Sequence, residues 1–223
     1  MTRYSSTVAL VAVLFASVLV AQPQEQDARE MAQERAQAEL DAPKIVEVLE
    51  LKPGMTVADV GSGGGAMTVV LGKWIRPGRV FATDITAHAL RWTREYVKKE
   101  GLNNVTVLEG AAAATNLPDA CCDALLLRHV YHHITEIDAF NKSLLASLKP
   151  GGRLAIIDFV PDKGSPLPKG VPANRGGHGI PPAVVIGEMK AAGFTYERTI
   201  DKWPPGDKVQ PGFLTLFRVP RVP

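Results

Sequence analysis

The strongest constraint on this chain is twelve residues long. "VADVGSGGGAMT", residues 57–68, carries apolar residues into a loop with four glycines in five positions, then into a helical pattern. A strand that enters a helix through such a turn brings bare backbone N–H groups and a helix N-terminus up to a ligand. Gly61, Gly63 and Gly65 leave room for that ligand against the main chain. Gly61–Ala66 also satisfies the loose G-x-G-x-x-G/A pattern of dinucleotide binders, a pattern that is weak when it stands alone.

The rest of the chain repeats the unit. Short apolar runs at 56–60, 80–85, 105–110, 123–130 and 153–160 read as strands. Between them lie helical patterns such as "TAHALRWTREYVKKEG", which ends on a glycine, and "TEIDAFNKSLLASL", with Thr135 expected as its N-cap. Regular βα alternation argues for a parallel sheet covered by helices on both faces. The pattern changes at Pro161. Residues 161–182 are dense in Pro and Gly and read as a long loop of the kind that forms lids and binding surfaces. One more helix and two strands, "TYERTIDKW" and "GFLTLFRVP", close the chain.

Composition narrows the partners. The 223 residues are 46% hydrophobic, enough for one α/β domain with a proper core. Lys and Arg number 25 against 23 Asp and Glu, a net charge of +2 with no basic cluster, so there is no electrostatic case for nucleic acid. Cys121 and Cys122 are adjacent and are expected to stay unbridged, as small apolar residues beside a strand. Oligomeric state is not written in the sequence. At the N-terminus, Arg3 precedes an uncharged apolar stretch, Val8 to Ala21, short for a membrane span and of signal-peptide length. Residues 1–21 are expected to be a signal peptide, or a membrane attachment through 8–21 if uncleaved. Both place the domain outside the cytoplasm, periplasmic, secreted or anchored. Residues 22–42 read as a polar, partly helical extension, and 43–223 as the domain.

Asp59 stands on the strand before the glycines, where an acid suits a cationic ammonium group and not a pyrophosphate. Asp84 ends the second strand, where a carboxylate can accept from both ribose hydroxyls. "VADVGSGGG", "VFATDI", "NLPDACCDALLLRHVYHHI" and "LKPGGRLAIIDF" occur in one order and spacing. In that order they resemble the class I S-adenosylmethionine-dependent methyltransferases, over roughly residues 43 to 219, and within them small bacterial members that carry signal peptides. The resemblance implies an α/β, Rossmann-like, doubly wound sheet of seven strands, mostly parallel, with an antiparallel last strand inserted beside the sixth. It implies S-adenosylmethionine as cofactor. Asp59 and the loop with Gly61, Ser62, Gly63 and Gly65 would hold its methionine part. Asp84 would bind the ribose, Ile85 would lie against adenine, Gly110 and Ala111 would end the third strand beside it, and Arg128 would offer backbone to the ammonium. Ala111 stands where relatives often carry an aspartate that accepts from the adenine amino group, a bond of about 1 kcal/mol, with Asn116 a candidate to compensate. His129 also departs from the family pattern.

The same topology places the acceptor over the carboxyl ends of strands four and five. Tyr131, His132 and His133 are the first candidates there for substrate contact or proton transfer, with Asp158 and His178 further away in sequence. The spacing H-x-x-H-H does not ensure that these histidines converge, so no metal is expected. The leading expectation is a methyltransferase acting on a small-molecule acceptor. An exported cofactor-binding protein without turnover and an NAD(P)-dependent oxidoreductase are the competing readings.

Overall fold

A computed structural model describes residues 23–162, 164–204 and 212–221. The stretch expected to be a signal peptide lies outside the described residues. None of the described helices is long and apolar enough to cross a membrane.

The elements follow the alternation: α1 (Pro23–Val48), β1 (Thr56–Val60), α2 (Ala66–Trp74), β2 (Arg79–Asp84), α3 (Ala87–Lys99), β3 (Val105–Glu109), β4 (Cys122–Arg128), α4 (Ile137–Ser147), β5 (Leu148–Phe159), α5 (Pro182–Ala191), β6 (Thr195–Trp203) and β7 (Gly212–Arg218). Seven strands form one sheet in the order β3-β2-β1-β4-β5-β7-β6. The first five pair in parallel, and β7 runs antiparallel to both β5 and β6. This is the doubly wound topology that the sequence implies, including the inserted last strand.

Strand periodicity sorts the core into two layers. Along β4, Ala124 and Leu126 join Met67, Leu71 and Ile45 on one face of the sheet. Leu125 and Leu127 join Phe140, Leu144, Val185 and Met189 on the other. Helices α1 and α2 thus cover the first face, and α4 and α5 the second. Asp59 falls between Ala58 and Val60, which belong to the second layer, so its side chain is delivered to the face of α2. In α1, Ala38, Asp41, Ala42, Ile45 and Val48 are buried at helical spacing, and the helix runs on through Pro43, which stays exposed.

Helix ends follow local chemistry with one exception. Thr86 caps α3 by accepting from Ala89 N–H at 3.3 Å, Lys98 and Lys99 close its last turn, and Gly101 follows at φ +62°. The expected cap on α4 is displaced by one residue. Glu136, not Thr135, holds the N-cap position, and it makes no side-chain capping bond.

Candidate functional site

The site is built at the carboxyl ends of β1, β2, β4 and β5, where parallel strands release their loops. Gly61 and Ser62 donate their N–H groups to the Thr83 carbonyl at 2.7 and 2.9 Å, which folds the glycine loop over the end of β2. Gly63 N–H donates to Asp84 Oδ2 at 3.1 Å, and Thr93 Oγ1 donates to the Gly63 carbonyl at 2.9 Å. Asp84 Oδ1 accepts from Thr86 N–H and Thr86 Oγ1, both at 2.9 Å. One carboxylate therefore ties the glycine loop to the start of α3. A carboxylate has about four acceptor positions, so it keeps capacity for a ligand hydroxyl.

At Gly61 the fold demands glycine. Its φ is +76°, and a Cβ there would lie 2.6 Å from Val130 Cγ2 and 2.9 Å from Val130 Cβ. The left-handed backbone costs a side chain about 1–2 kcal/mol and the overlap about 1–3 kcal/mol more. Gly61→Ala is expected to lower the melting temperature by at least about 5 °C. Thermal unfolding by circular dichroism checks this, and an unchanged melting temperature would show that Val130 yields freely.

Two cavities meet at Gly61. One, of about 160 Å³, is bordered by Asp84, Ile85, Gly110, Ala111, Val130 and Phe140, among others. Its walls are largely apolar, and Ile85, 63% exposed, lies open on its rim. The other, of about 190 Å³, is bordered by Glu34, Asp59, the loop residues Gly61, Ser62 and Gly63, and Arg128 and His129. A third, of about 240 Å³, adjoins it at His129 and is walled by Gln37, Asp41, Phe159, Trp203, Pro204 and Gly212. The three run in series, sharing Gly61 and then His129.

Electrostatics differ along this series. Asp59 is buried and accepts from Thr68 Oγ1 at 2.5 Å. Burial raises its pKa from an ordinary 3.8 to about 6, against the opposing pull of Thr68 and Arg128. The Arg128 side chain is tied to α1: its Nε donates to Asp41 Oδ2 at 3.1 Å, and Gln37 holds the other oxygen of Asp41 at 3.0 Å. His129 has φ +56° and donates its N–H to the Ile157 carbonyl at 2.8 Å. It borders both the second and the third cavity. Desolvation there and the neighbouring Arg128 charge push its pKa down to about 4, so the imidazole is neutral at pH 7.

The three catalytic candidates part company. Tyr131 is fully buried, donates its hydroxyl to Glu188 Oε2 at 2.9 Å and accepts from Asn141 at 2.8 Å. It faces the second core layer rather than the cleft, and burial raises the pKa of its phenol. His132 is buried; its backbone N–H donates to Asp158 Oδ2 at 3.1 Å, and its Nδ1 lies 2.8 Å from Asp158 Oδ1. His133 is exposed and borders the Asp84 cavity. Partial desolvation of its ring, together with the adjoining His132 and His178, lowers its pKa. His178 comes in from the 161–182 loop, its Nε2 3.2 Å from His132 Nε2.

Asn116 does not border the Asp84 cavity. Its amide donates to the Glu109 carbonyl at 2.9 Å, fixing a left-handed turn at φ +57°. Thr115 borders the cavity instead, with its hydroxyl 3.0 Å from Ser143 Oγ. Cys121 and Cys122 are not bridged. Asp41, Phe159 and Trp203 were not singled out by the sequence; the packing of α1 and β6 brings Asp41 and Trp203 to Phe159 at the end of β5, where the third cavity forms.

The comparisons agree with this geometry. Residues 58–156 match a family model described as a methyltransferase domain. Two ubiquinone/menaquinone biosynthesis C-methyltransferases named UbiE, from Shewanella frigidimarina and Shewanella halifaxensis, are 31% and 32% identical over 116 residues, 51% of this chain and 46% of theirs. The chain thus spans about half the length of the curated relatives it matches. Among solved structures, a SAM dependent methyltransferase from Aquifex aeolicus is similar at TM-score 0.62 and 27% identity, covering 83% of this chain and 98% of that one. The [4+2]-cyclase SpnF shares the fold at TM-score 0.67 and 16% identity, covering 84% of this chain and 82% of its own. The domain match and the Aquifex aeolicus neighbour support the class I methyltransferase family, and the cofactor they indicate is S-adenosylmethionine.

Proposed function

We propose that the chain is an S-adenosylmethionine-dependent methyltransferase acting on a small-molecule acceptor. The observation that carries this is the series of three cavities joined at Gly61 and His129. The apolar cavity beside Asp84 and Ile85 suits adenosine, the acidic one beside Asp59 and Glu34 suits an amino acid ammonium, and the third is left for the acceptor.

When bound, the cofactor supplies an electrophilic methyl group on a cationic sulfonium. The chain's own residues then have three tasks. Asp84 and the glycine loop that it ties down orient the ligand, which is the main requirement of an in-line displacement. His129 stands where the cofactor and acceptor cavities meet, and as a neutral imidazole it adds no repulsion against the sulfonium. Phe159 and Trp203, opposed by Gln37 and Asp41, offer an acceptor with an apolar body and one polar group a matched wall. The same reading places the enzyme outside the cytoplasm, and the sequence of residues 8–21 is its support.

The fold alone does not fix the chemistry, since one neighbour of this fold is named a cyclase. The test therefore has two stages. Calorimetric titration with S-adenosylmethionine, S-adenosylhomocysteine and NAD is expected to show binding of the two adenosyl ligands and none of NAD. Formation of S-adenosylhomocysteine with a panel of small acceptors then measures transfer. A folded sample that binds neither adenosyl ligand overturns the proposal.

A further inference from the structure

We infer that His132, His133 and His178 form a binding site for one divalent transition-metal ion of the zinc type. One ring nitrogen from each of these three residues lies within 4.8 Å of the other two. They come from positions up to 46 residues apart and meet beside Phe159, whose ring lies 4.8 Å from His132 and 5.4 Å from His178, centroid to centroid.

The details are those of a metal centre. Zinc–nitrogen bonds of about 2.0–2.1 Å at a tetrahedral angle put two ligand nitrogens about 3.3–3.4 Å apart. His132 Nε2 and His178 Nε2 are 3.2 Å apart, the spacing of two ligands of one ion and, with no ion between them, of a hydrogen bond from one ring to the other. The other nitrogen of His132 is held at 2.8 Å by Asp158, whose carboxylate also accepts from the backbone N–H groups of His132 and Phe159. With Nδ1–H donated to that carboxylate, Nε2 carries the lone pair and points at the cluster. A carboxylate behind the far nitrogen is the recurrent support of a metal-bound histidine.

The loop is shaped to deliver the third ligand. His178 sits between Gly177 at φ +148° and Gly179 at φ +121°, and a Cβ on Gly179 would lie 2.8 Å from the Phe159 carbonyl. Ile180 N–H donates to that same carbonyl at 2.9 Å, and His178 N–H donates to Ser165 Oγ at 3.0 Å. The backbone is thus pinned to the end of β5 while the exposed rings of His133 and His178 keep the rotamer freedom to close on an ion. Three imidazoles select zinc, cobalt, nickel or copper over the oxygen-seeking magnesium and calcium. With three protein ligands a fourth position stays open, and His133 places it beside the Asp84 cavity.

The test uses the full chain, stripped with a chelator and titrated with Co²⁺ and then Zn²⁺. One equivalent should bind, with the visible absorption of tetrahedral cobalt and no near-ultraviolet thiolate band. Zn²⁺ should displace the cobalt and raise the melting temperature. His178→Ala and His133→Ala, both changes of exposed side chains, should each weaken binding by at least about 10-fold with the apo melting temperature kept. His88→Ala, on α3 outside the cluster, should bind as the parent does. Absence of stoichiometric binding, binding indifferent to both cluster variants, or a thiolate band pointing to Cys121 and Cys122 would each overturn the assignment.

Discussion

Replacing Asp84 by alanine is expected to weaken S-adenosylhomocysteine binding by about 10- to 100-fold. The carboxylate would give up a charge-assisted hydrogen bond to a ribose hydroxyl, worth about 1.5–3 kcal/mol. It would also release the bonds by which it holds Gly63 N–H and Thr86, so the glycine loop loses its tie to α3. The two contributions separate by experiment. If loss of the tie dominates, the ligand-free protein melts earlier and Asp84→Asn, which keeps an acceptor oxygen, recovers most of the melting temperature. If ribose recognition dominates, the ligand-free protein melts nearly as the parent does and Asp84→Asn remains weak toward ligand. Calorimetry within threefold of the parent for Asp84→Ala would remove Asp84 from the cofactor site.

What the sequence conveys well is what depends on near neighbours. The strand, glycine and helix of residues 57–68 follow from apolar patterning and from the left-handed turns that only glycine tolerates cheaply, and the place of Asp84 at the end of β2 is legible from the apolar run that it closes. Direction along an irregular turn is a different matter. In "RHVYHHI" the alternation of a strand has already failed, and a one-turn 3-10 segment sends Tyr131 into the core and His133 to the surface. Nothing local distinguishes those two outcomes, because the partners that decide them, Glu188 and Asn141, lie 57 and 10 residues away. The Arg128–Asp41 pair spans 87 residues, and the meeting of His132 with His178 spans 46. These contacts exist only once α1 and the 161–182 loop have docked. The third cavity and the histidine cluster were therefore illegible for the same reason: each is assembled from segments whose approach is set by the sheet, not by their own sequence.

Asp59 should separate stability from binding. Burial lifts its pKa from 3.8 to about 6, so the folded protein holds the proton more tightly than the unfolded chain does. The stability that this contributes is fully present below about pH 4 and is lost as the pH rises through 6. At pH 8 the folded state keeps a buried carboxylate at a cost on the order of 2–3 kcal/mol. Asn at this position still accepts from Thr68 and carries no charge. Asp59→Asn is therefore expected to raise the melting temperature at pH 8 by about 4–8 °C, and the gap should close as the pH approaches 4. Binding should move the other way. An ammonium group in the cavity beside Glu34 and Asp59 gains from the ionised acid, so the parent's affinity for S-adenosylhomocysteine should fall below pH 6, by up to about tenfold per pH unit. The variant should be weaker at pH 8 and nearly flat between pH 5 and 8, a window in which His129, with its pKa near 4, stays neutral and contributes no slope of its own. Melting curves and calorimetry across that range decide it. A variant that melts no higher than the parent at pH 8 would show that Thr68 and Arg128 already offset the burial. A variant that binds as tightly as the parent would show that the ammonium does not lie beside Asp59.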